Sequence, residues 1–303
     1  MKKETSIVLA ALAGGSLLLT PLPGQGLHLK GQLWGSITYG DDPASGRENV
    51  EETIGYIPTL SLGRQFGPLS VLDLEAAYQL GAVLDGALKD GEDDIDRYGK
   101  LYRFWGRLAT ENLELRLGLQ KIAFGPGMVL RPLMWFDTLD LRDPTGQTEG
   151  VGALRLKWYP WPNLALWSWV VRPDYTEYAS PGGRIEYTLG ASEFGLTYHY
   201  NKYNLLDDSH PDFASRPLLA LDSAEHRLAI DTRLDWKVGL WSEVVFAQAT
   251  EKFMDGVKND LLQVMVGGDY TFPWRNGVYV MVEHLWSRLD DIEMFVPILP
   301  PYS

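Results

Sequence analysis

Residues Leu113-Glu-Leu-Arg-Leu-Gly-Leu-Gln120 carry a leucine at every second position, with polar residues or glycine between. Because successive side chains of a β-strand point to opposite faces, this stretch is predicted to be a strand with one apolar and one polar face. Segments of the same kind recur about thirteen times along the chain. The simplest apolar environment for so many apolar strand faces is a lipid bilayer. A closed barrel in the bilayer leaves no backbone hydrogen-bonding group unpaired.

The connections between these segments alternate strictly between short and long. The short ones lie at residues 66–68, 111–112, 160–163, 191–192, 237–239 and 273–276, and the long ones at 40–50, 82–99, 123–149, 172–182, 201–222 and 251–258. Tight periplasmic turns and long external loops are typical of bacterial outer-membrane barrels. The sequence therefore predicts an all-β protein, a transmembrane antiparallel up-and-down β-barrel with about thirteen visible strands.

The composition excludes several other classes of protein. No stretch after residue 20 approaches the ~20 apolar residues of a membrane-spanning helix. The chain has 0 cysteines, which excludes disulfides, thiol nucleophiles and thiolate metal sites. A net charge of −13 argues against nucleic acid as a partner. No cofactor or metal is expected, because the acidic run at residues 90–96 lacks the spacing of a calcium-binding loop and is interpreted as a solvated loop.

Both ends of the chain carry a prediction. Residues 1–26 are expected to be a signal peptide, with Lys2 and Lys3 before an apolar run at 7–19 and small Gly24 and Gly26 before the cleavage point. Residues 27–303 then form the barrel. The first strand (27–39) and the thirteenth (278–289) both run outward, whereas bacterial barrels have even strand numbers. We therefore expect that one or more C-terminal strands are missing, with 14 or more in the complete protein; a miscount by one is the alternative.

The polar faces carry an uneven distribution of charge. Two sets are predicted to line opposite walls of a wet lumen: a basic wall of Arg103, Arg107, Arg116, Arg155 and Lys157, and an acidic wall of Glu225, Asp231, Asp235, Glu243, Asp269 and Glu283. The field between such walls would favour polar over apolar solutes. The alternative is a set of interstrand ion pairs that fill the lumen, which the alternation of Glu114 and Arg116 favours locally.

The long connection at 123–149 is too apolar for a loop in water. It is predicted to fold into the lumen as a constriction or plug, with functional residues Arg131, Trp135, Asp137, Asp140, Arg142 and Asp143. A contact with a partner or with lipopolysaccharide is the alternative.

The same region carries a resemblance to known proteins. Residues 115–125 (LRLGLQKIAFG), 131–137 (RPLMWFD) and 142–144 (RDP) resemble a family of largely uncharacterised outer-membrane barrels. More distantly, Gly118, Gln120, Phe124 and Gly125 are similar to an element of porin-like and alginate-export-type barrels. The resemblance implies a porin-like barrel without a settled substrate.

These observations favour a porin-like channel for small polar or anionic solutes in the outer membrane of a Gram-negative-type bacterium. An export or assembly barrel for an anionic polysaccharide and a closed structural barrel are the alternatives. Expected partners are outer-membrane lipid, lipopolysaccharide and the solutes, and a homo-oligomer is compatible with the sequence. No enzyme is expected: residues 207–210 (DDSH) read as a solvated loop, and neither His226 nor His284 has an evident serine partner.

Overall fold

The computed structural model describes residues 9–15, 25–42, 47–67, 69–87, 93–137, 148, 150–172, 178–201, 224–249, 260–275, 277–289 and 292–295. Within these ranges all regular structure is β-strand, and no helix there is long and apolar enough to cross a membrane. The described strands are β1 (Leu9–Gly15), β2 (Gln25–Asp42), β3 (Arg47–Phe66), β4 (Ser70–Ala87), β5 (Asp93–Ala109), β6 (Leu113–Gln120), β7 (Val151–Trp161), β8 (Leu164–Arg172), β9 (Ser180–Leu189), β10 (Ser192–Asn201), β11 (Glu225–Asp235), β12 (Gly239–Ala249), β13 (Asp260–Phe272), β14 (Val278–Leu289) and β15 (Ile292–Phe295).

The chain divides into two units. The first unit takes Met1–Thr110, Gly118–Lys121 and Leu139–Gly150, and the second takes Glu111–Leu117, Ile122–Thr138 and Val151–Ser303. In each unit the strands are antiparallel and are hydrogen-bonded in the order in which they follow one another in the chain.

The first unit is built from long hairpins. Strands β2 to β5 have 17 to 20 residues, and the β2–β3 ladder continues to the pair Asp42↔Arg47. Likewise, the β4–β5 ladder reaches the pair Gly86↔Asp93. The predicted long connections at 40–50 and 82–99 are therefore wrong, because most of these residues belong to strands. Backbone pairing continues there, although aspartate, glutamate and glycine interrupt the alternation of apolar and polar side chains.

The second unit has shorter strands and tight turns. Strands β7 to β14 have 9 to 13 residues. Their short turns lie where the sequence predicts them, as between Leu189 and Ser192 or between Asp235 and Gly239. In the β9–β10 turn Gly190 adopts a φ of 61°, a conformation that glycine tolerates without steric cost.

The second unit turns one apolar face outward, and its buried charged side chains point inward. On β10 to β12 the buried positions are Thr197 and His199, Ala229 and Asp231, and Glu243, Val245 and Ala247. The intervening positions are exposed and apolar, namely Leu196 and Tyr198, Leu228 and Ile230, and Val244 and Phe246. The exposed fraction is 58% for Ile230 but 5% for its neighbour Asp231. We call the side that carries the buried positions the inner face, and this order is the reverse of that in a water-soluble sandwich.

The all-β, antiparallel, up-and-down fold is confirmed. The thirteen predicted strands, from 27–39 to 278–289, correspond to β2 to β14. Strand β1 lies within the predicted signal peptide and pairs with β2 from Leu9↔Ile37 to Gly15↔Gly31. The signal peptide, the barrel boundary at residue 27 and the closure of the sheet stay predictions.

Candidate functional site

The inner face of the second unit holds a buried network centred on Arg184. From β9 its guanidinium donates to both carboxyl oxygens of Asp231 on β11, at 2.6 and 2.9 Å. It also donates to Thr197 Oγ1 at 2.7 Å and to Glu186 Oε1 at 2.7 Å. Gly195, on the strand between, leaves the space through which the two side chains meet, since a Cβ there would collide with both. Asp231 of the predicted acidic wall is therefore the partner of an arginine.

A second group on the inner face is rich in cations. Arg155 donates to Glu114 at 2.8 Å, and Arg116 lies 3.4 Å from the same carboxyl oxygen. The ammonium nitrogen of Lys157 lies 3.1 Å from the centre of the Trp167 ring, across the β7–β8 ladder. We call Glu114, Arg116, Arg155 and Lys157 the basic group. It contains three cations and one carboxylate, so positive charge is in excess here.

The remaining charges of the predicted acidic wall also have partners. Glu225 forms an ion pair with Arg227, and Asp235 accepts from Arg233 at 2.9 Å. Asp269 accepts from the Tyr279 hydroxyl at 3.0 Å and from the backbone N–H of Gly239 at 3.2 Å. Both ion pairs join residues two positions apart on β11 and are not interstrand pairs. The field between two walls and the alternative of interstrand pairing both stay predictions at these residues.

Residues 122–137, which we call the inner segment, pack against the inner face of the second unit. Ile122, Phe124 and Leu133 are buried in one hydrophobic cluster with strand residues Val151, Ala153, Trp169, Val171, Ala229 and Val245. Strands β8 and β12 carry apolar residues on both faces, and this cluster explains why. One face is exposed, and the other lies under the inner segment.

Aromatic rings fix the inner segment over β8 to β10. Phe124 stacks on Trp169 with ring centres 5.5 Å apart, and Phe136 meets His199 edge to face at 4.9 Å. Trp135 stacks on the same histidine at 6.1 Å. Such aromatic pairs contribute roughly 0.5–1.5 kcal/mol each beyond their buried area.

Two glutamates of the predicted acidic wall accept hydrogen bonds from the backbone of the inner segment. Glu243 on β12 accepts from the N–H groups of Gly127 at 2.7 Å and Leu133 at 3.0 Å. Glu283 on β14 accepts from three successive N–H groups, those of Met128, Val129 and Leu130, at 2.7 to 2.9 Å. Buried backbone donors need acceptors, and here two side chains supply them in place of regular secondary structure.

Trp241 completes the surroundings of Glu283. Its indole N–H crosses β13 and donates to Glu283 at 2.9 Å. The ring can lie there because Gly267 on β13 has no side chain, and a Cβ at this position would collide with the indole. The Glu283 carboxyl therefore receives four hydrogen bonds, three from the inner segment and one from the strand wall.

In the first unit, Arg103 and Arg107 of the predicted basic wall also have specific partners. Arg107 pairs with Asp73 on the neighbouring strand β4, with its Nε 2.8 Å from the carboxylate. Arg103 is buried and donates to the carbonyl oxygens of Tyr102 and Thr148. The Tyr102 hydroxyl donates to the same Thr148 carbonyl at 2.8 Å. Arg103 thus holds the returning end of the connection between β6 and β7.

The predicted plug residues are described in part. Arg131 and Asp137 form an ion pair of 2.7 Å within the inner segment, and Trp135 lies in the aromatic cluster. Asp140, Arg142 and Asp143 lie outside the described residues. A role of the segment as constriction or plug stays a prediction.

The sequence prediction missed several residues of this site. The sequence did not single out Arg184 or Glu186, and it did not predict that Asp73 pairs with Arg107. The signal that could have revealed Arg184 is the run of inward polar positions on three neighbouring strands. The backbone-binding role of Glu243 and Glu283 left no such signal, because it depends on where a remote segment folds.

The residues considered for an enzymatic or metal site are described in part. Within these residues no group of three or more histidine or acidic side chains could hold a metal ion. His226 lies on the exposed face, where its Nδ1 is 2.8 Å from the Tyr198 hydroxyl. Residues 207–210 and 90–92 lie outside the described residues, whereas residues 93–96 of the acidic run begin strand β5 and do not form the predicted loop.

Comparison with known proteins shows the fold. No family model and no curated protein matches the sequence. OmpF of Salmonella typhi, solved in complex with daunomycin, is similar in structure at 14% identity and a TM-score of 0.50, over 87% of this chain and 79% of that chain. OprB of Pseudomonas putida, solved at low pH, matches at 9% identity and a TM-score of 0.29, over 89% of each chain. The likeness to OmpF, an outer-membrane porin, supports a porin-like β-barrel fold. The resemblance of residues 115–144 to an uncharacterised barrel family stays a prediction.

Proposed function

We propose that this chain is a porin-like channel of the bacterial outer membrane that passes small polar solutes and favours anionic ones. The observation that carries the proposal is the reversed order of the two faces of the second unit. Exposed Ile230 and Val282 alternate with buried Asp231 and Glu283 on the same strands. Leaving this apolar face in water would forfeit about 25 cal/mol for each Å² that a bilayer could cover. A membrane-spanning barrel removes that cost.

Strand length supports the same location. A strand that crosses the hydrocarbon core at a tilt needs ~9–11 residues. Strands β7 to β14 have 9 to 13 residues, and every second connection between them is a short turn. Exposed Trp236 and Trp274 lie at two of these turns, where amphipathic rings suit the boundary between lipid and water.

The basic group supports a preference for anions. Arg155 and Arg116 share Glu114, and Lys157 lies over the Trp167 ring, whereas Arg184 is matched by Asp231 and Glu186. Positive charge in excess on the inner face raises the local concentration of anions. The sign is opposite to the net charge of −13 of the whole chain, so the preference follows from placement and not from composition.

The experiment is conductance of the full chain in planar lipid bilayers under a salt gradient. Lys157→Glu changes the inner-face charge by two units. For a permeating ion ~10 Å away this corresponds to about 0.8 kcal/mol in water, and less with salt screening. We expect the ratio of anion to cation permeability to fall about two- to fourfold at low salt.

The matched control is Lys237→Glu, which makes the same change in the exposed turn between β11 and β12. It should leave the reversal potential close to that of the wild type. A wild-type protein without ion current would refute the channel and favour a closed structural barrel. Equal reversal potentials in the wild type and Lys157→Glu would refute the role of the basic group.

A further inference from the structure

Glu243 and Glu283 differ from Glu114, Asp231 and Glu225 of the inner face in what they contact. Glu114, Asp231 and Glu225 face arginines. The contacts of Glu243 and Glu283 are instead with N–H groups, five from the backbone of the inner segment and one from the Trp241 indole. Their charge is therefore directed at the segment and not at the pathway.

The chemistry of these contacts requires two acceptor oxygens at each position. Both oxygens of Glu283 are used, one by Met128 and Trp241 and the other by Val129 and Leu130. A glutamine would keep one acceptor and turn an NH₂ donor toward the remaining N–H groups. Because Glu243 is 1% exposed and Glu283 6%, water has little access to replace the lost acceptor.

The backbone hydrogen bonds described within the segment are local. They run from Met134 N to Arg131 O at 3.0 Å and from Trp135 N to Leu133 O at 2.8 Å, and residues 127–133 form no regular secondary structure. Hydrophobic packing holds Phe124 and Leu133 on either side. The position of the stretch between those two side chains is then set by the two carboxyl groups.

We propose that Glu243 and Glu283 are positioning residues that fix residues 127–133 against β12 and β14 and so set the width of the pathway without setting its charge selectivity. The proposal rests on the channel function proposed above. In this proposal the inner face has two separate properties. The basic group determines which ions are preferred, and the two glutamates determine the width of the pathway.

Amide hydrogen exchange with residue-level resolution tests the contacts themselves, on the full chain in lipid vesicles. Glu283→Gln should speed exchange at Met128, Val129 and Leu130 about tenfold to hundredfold, because hydrogen bonds to charged acceptors are the strong ones. Glu243→Gln should instead speed exchange at Gly127 and Leu133. Such reciprocal patterns distinguish a local release from a general loss of stability. Unchanged exchange at these amides in both variants would overturn the proposal.

Conductance then tests the consequence for the pathway. In Glu283→Gln we expect a unitary conductance different from that of the wild type by twofold or more, with the reversal potential unchanged. The control Glu193→Gln removes an exposed carboxyl group from the inner side of β10 and should change neither the conductance nor the exchange of the inner segment. A shifted reversal potential at unchanged conductance would contradict the proposal. Absence of current in the wild type would refute the channel function and with it the statement about width, whereas the exchange result would still decide whether the glutamates hold the segment.

Discussion

Replacing Arg184 by methionine should destabilise the protein more than any exposed arginine replacement. The side chain is 6% exposed and makes four hydrogen bonds to Asp231, Glu186 and Thr197. Two unit charges ~4 Å apart interact by about 4 kcal/mol at an effective dielectric constant of ~20. Removing one partner of a buried pair leaves the other uncompensated, which costs roughly 3–5 kcal/mol. We therefore expect Arg184→Met to lower the free energy of unfolding by about 3–5 kcal/mol.

The assay is urea unfolding and refolding of the full chain in lipid vesicles, followed by tryptophan fluorescence. Arg233→Met is the matched control, because its partner Asp235 is 54% exposed and such pairs contribute ~0–1 kcal/mol. The double variant Arg184→Met, Asp231→Leu should recover most of the loss, since it removes the unpaired carboxylate as well. A loss below about 1 kcal/mol for Arg184→Met would show that water reaches the pair as it does at a surface. Equal losses in the single and double variants would refute the explanation by an uncompensated charge.

Two further changes test the outer face and the inner segment. Ile230→Arg, at the middle of β11, should lower the free energy of unfolding by about 2–4 kcal/mol, because its exposed side chain would meet the hydrocarbon core. The same vesicle titration of Val238→Arg, in an exposed turn, should show a change of ~0–1 kcal/mol, and equal effects at the two positions would contradict a membrane-facing Ile230. Trp135→Ala should cost about 3 kcal/mol through lost packing on His199 and Phe124, and a stability equal to that of the wild type would show that the aromatic cluster does not hold the segment.

The sequence predicted the strands well where one face is uniformly apolar. In β6, and in the part of β9 from Ile185 to Leu189, the period-two pattern alone locates the strand, because every outward position must be apolar. The pattern failed at the ends of β2 to β5. There the backbone ladder continues among Asp41, Glu48 and Gly86, residues with low strand propensity that pairing overrides.

The candidate site could be predicted only in part. Alternation identified which charges lie on the inner face, but it did not predict that Arg155 pairs with Glu114. The partners of Arg184 depend on the register of three strands, and a shift by one residue would move Asp231 to the outer face. The apolar character of residues 123–149 indicated a buried segment, but not that Glu243 and Glu283 would bind its backbone, since no local pattern encodes a contact across so many residues.

The large sequence separation between the inner segment and its two glutamates has a consequence for the order of folding. The hydrogen bonds from Gly127 to Glu243 and from Met128 to Glu283 join residues 116 and 155 positions apart. Closing a loop of this length costs entropy before any contact repays it, so such contacts form late in folding. The inner segment is synthesised before Glu243 and Glu283. It can dock only after β12 and β14 have each paired with β13. We therefore expect the proposed pathway to be wide when the strands first pair and to become narrower when the inner segment docks.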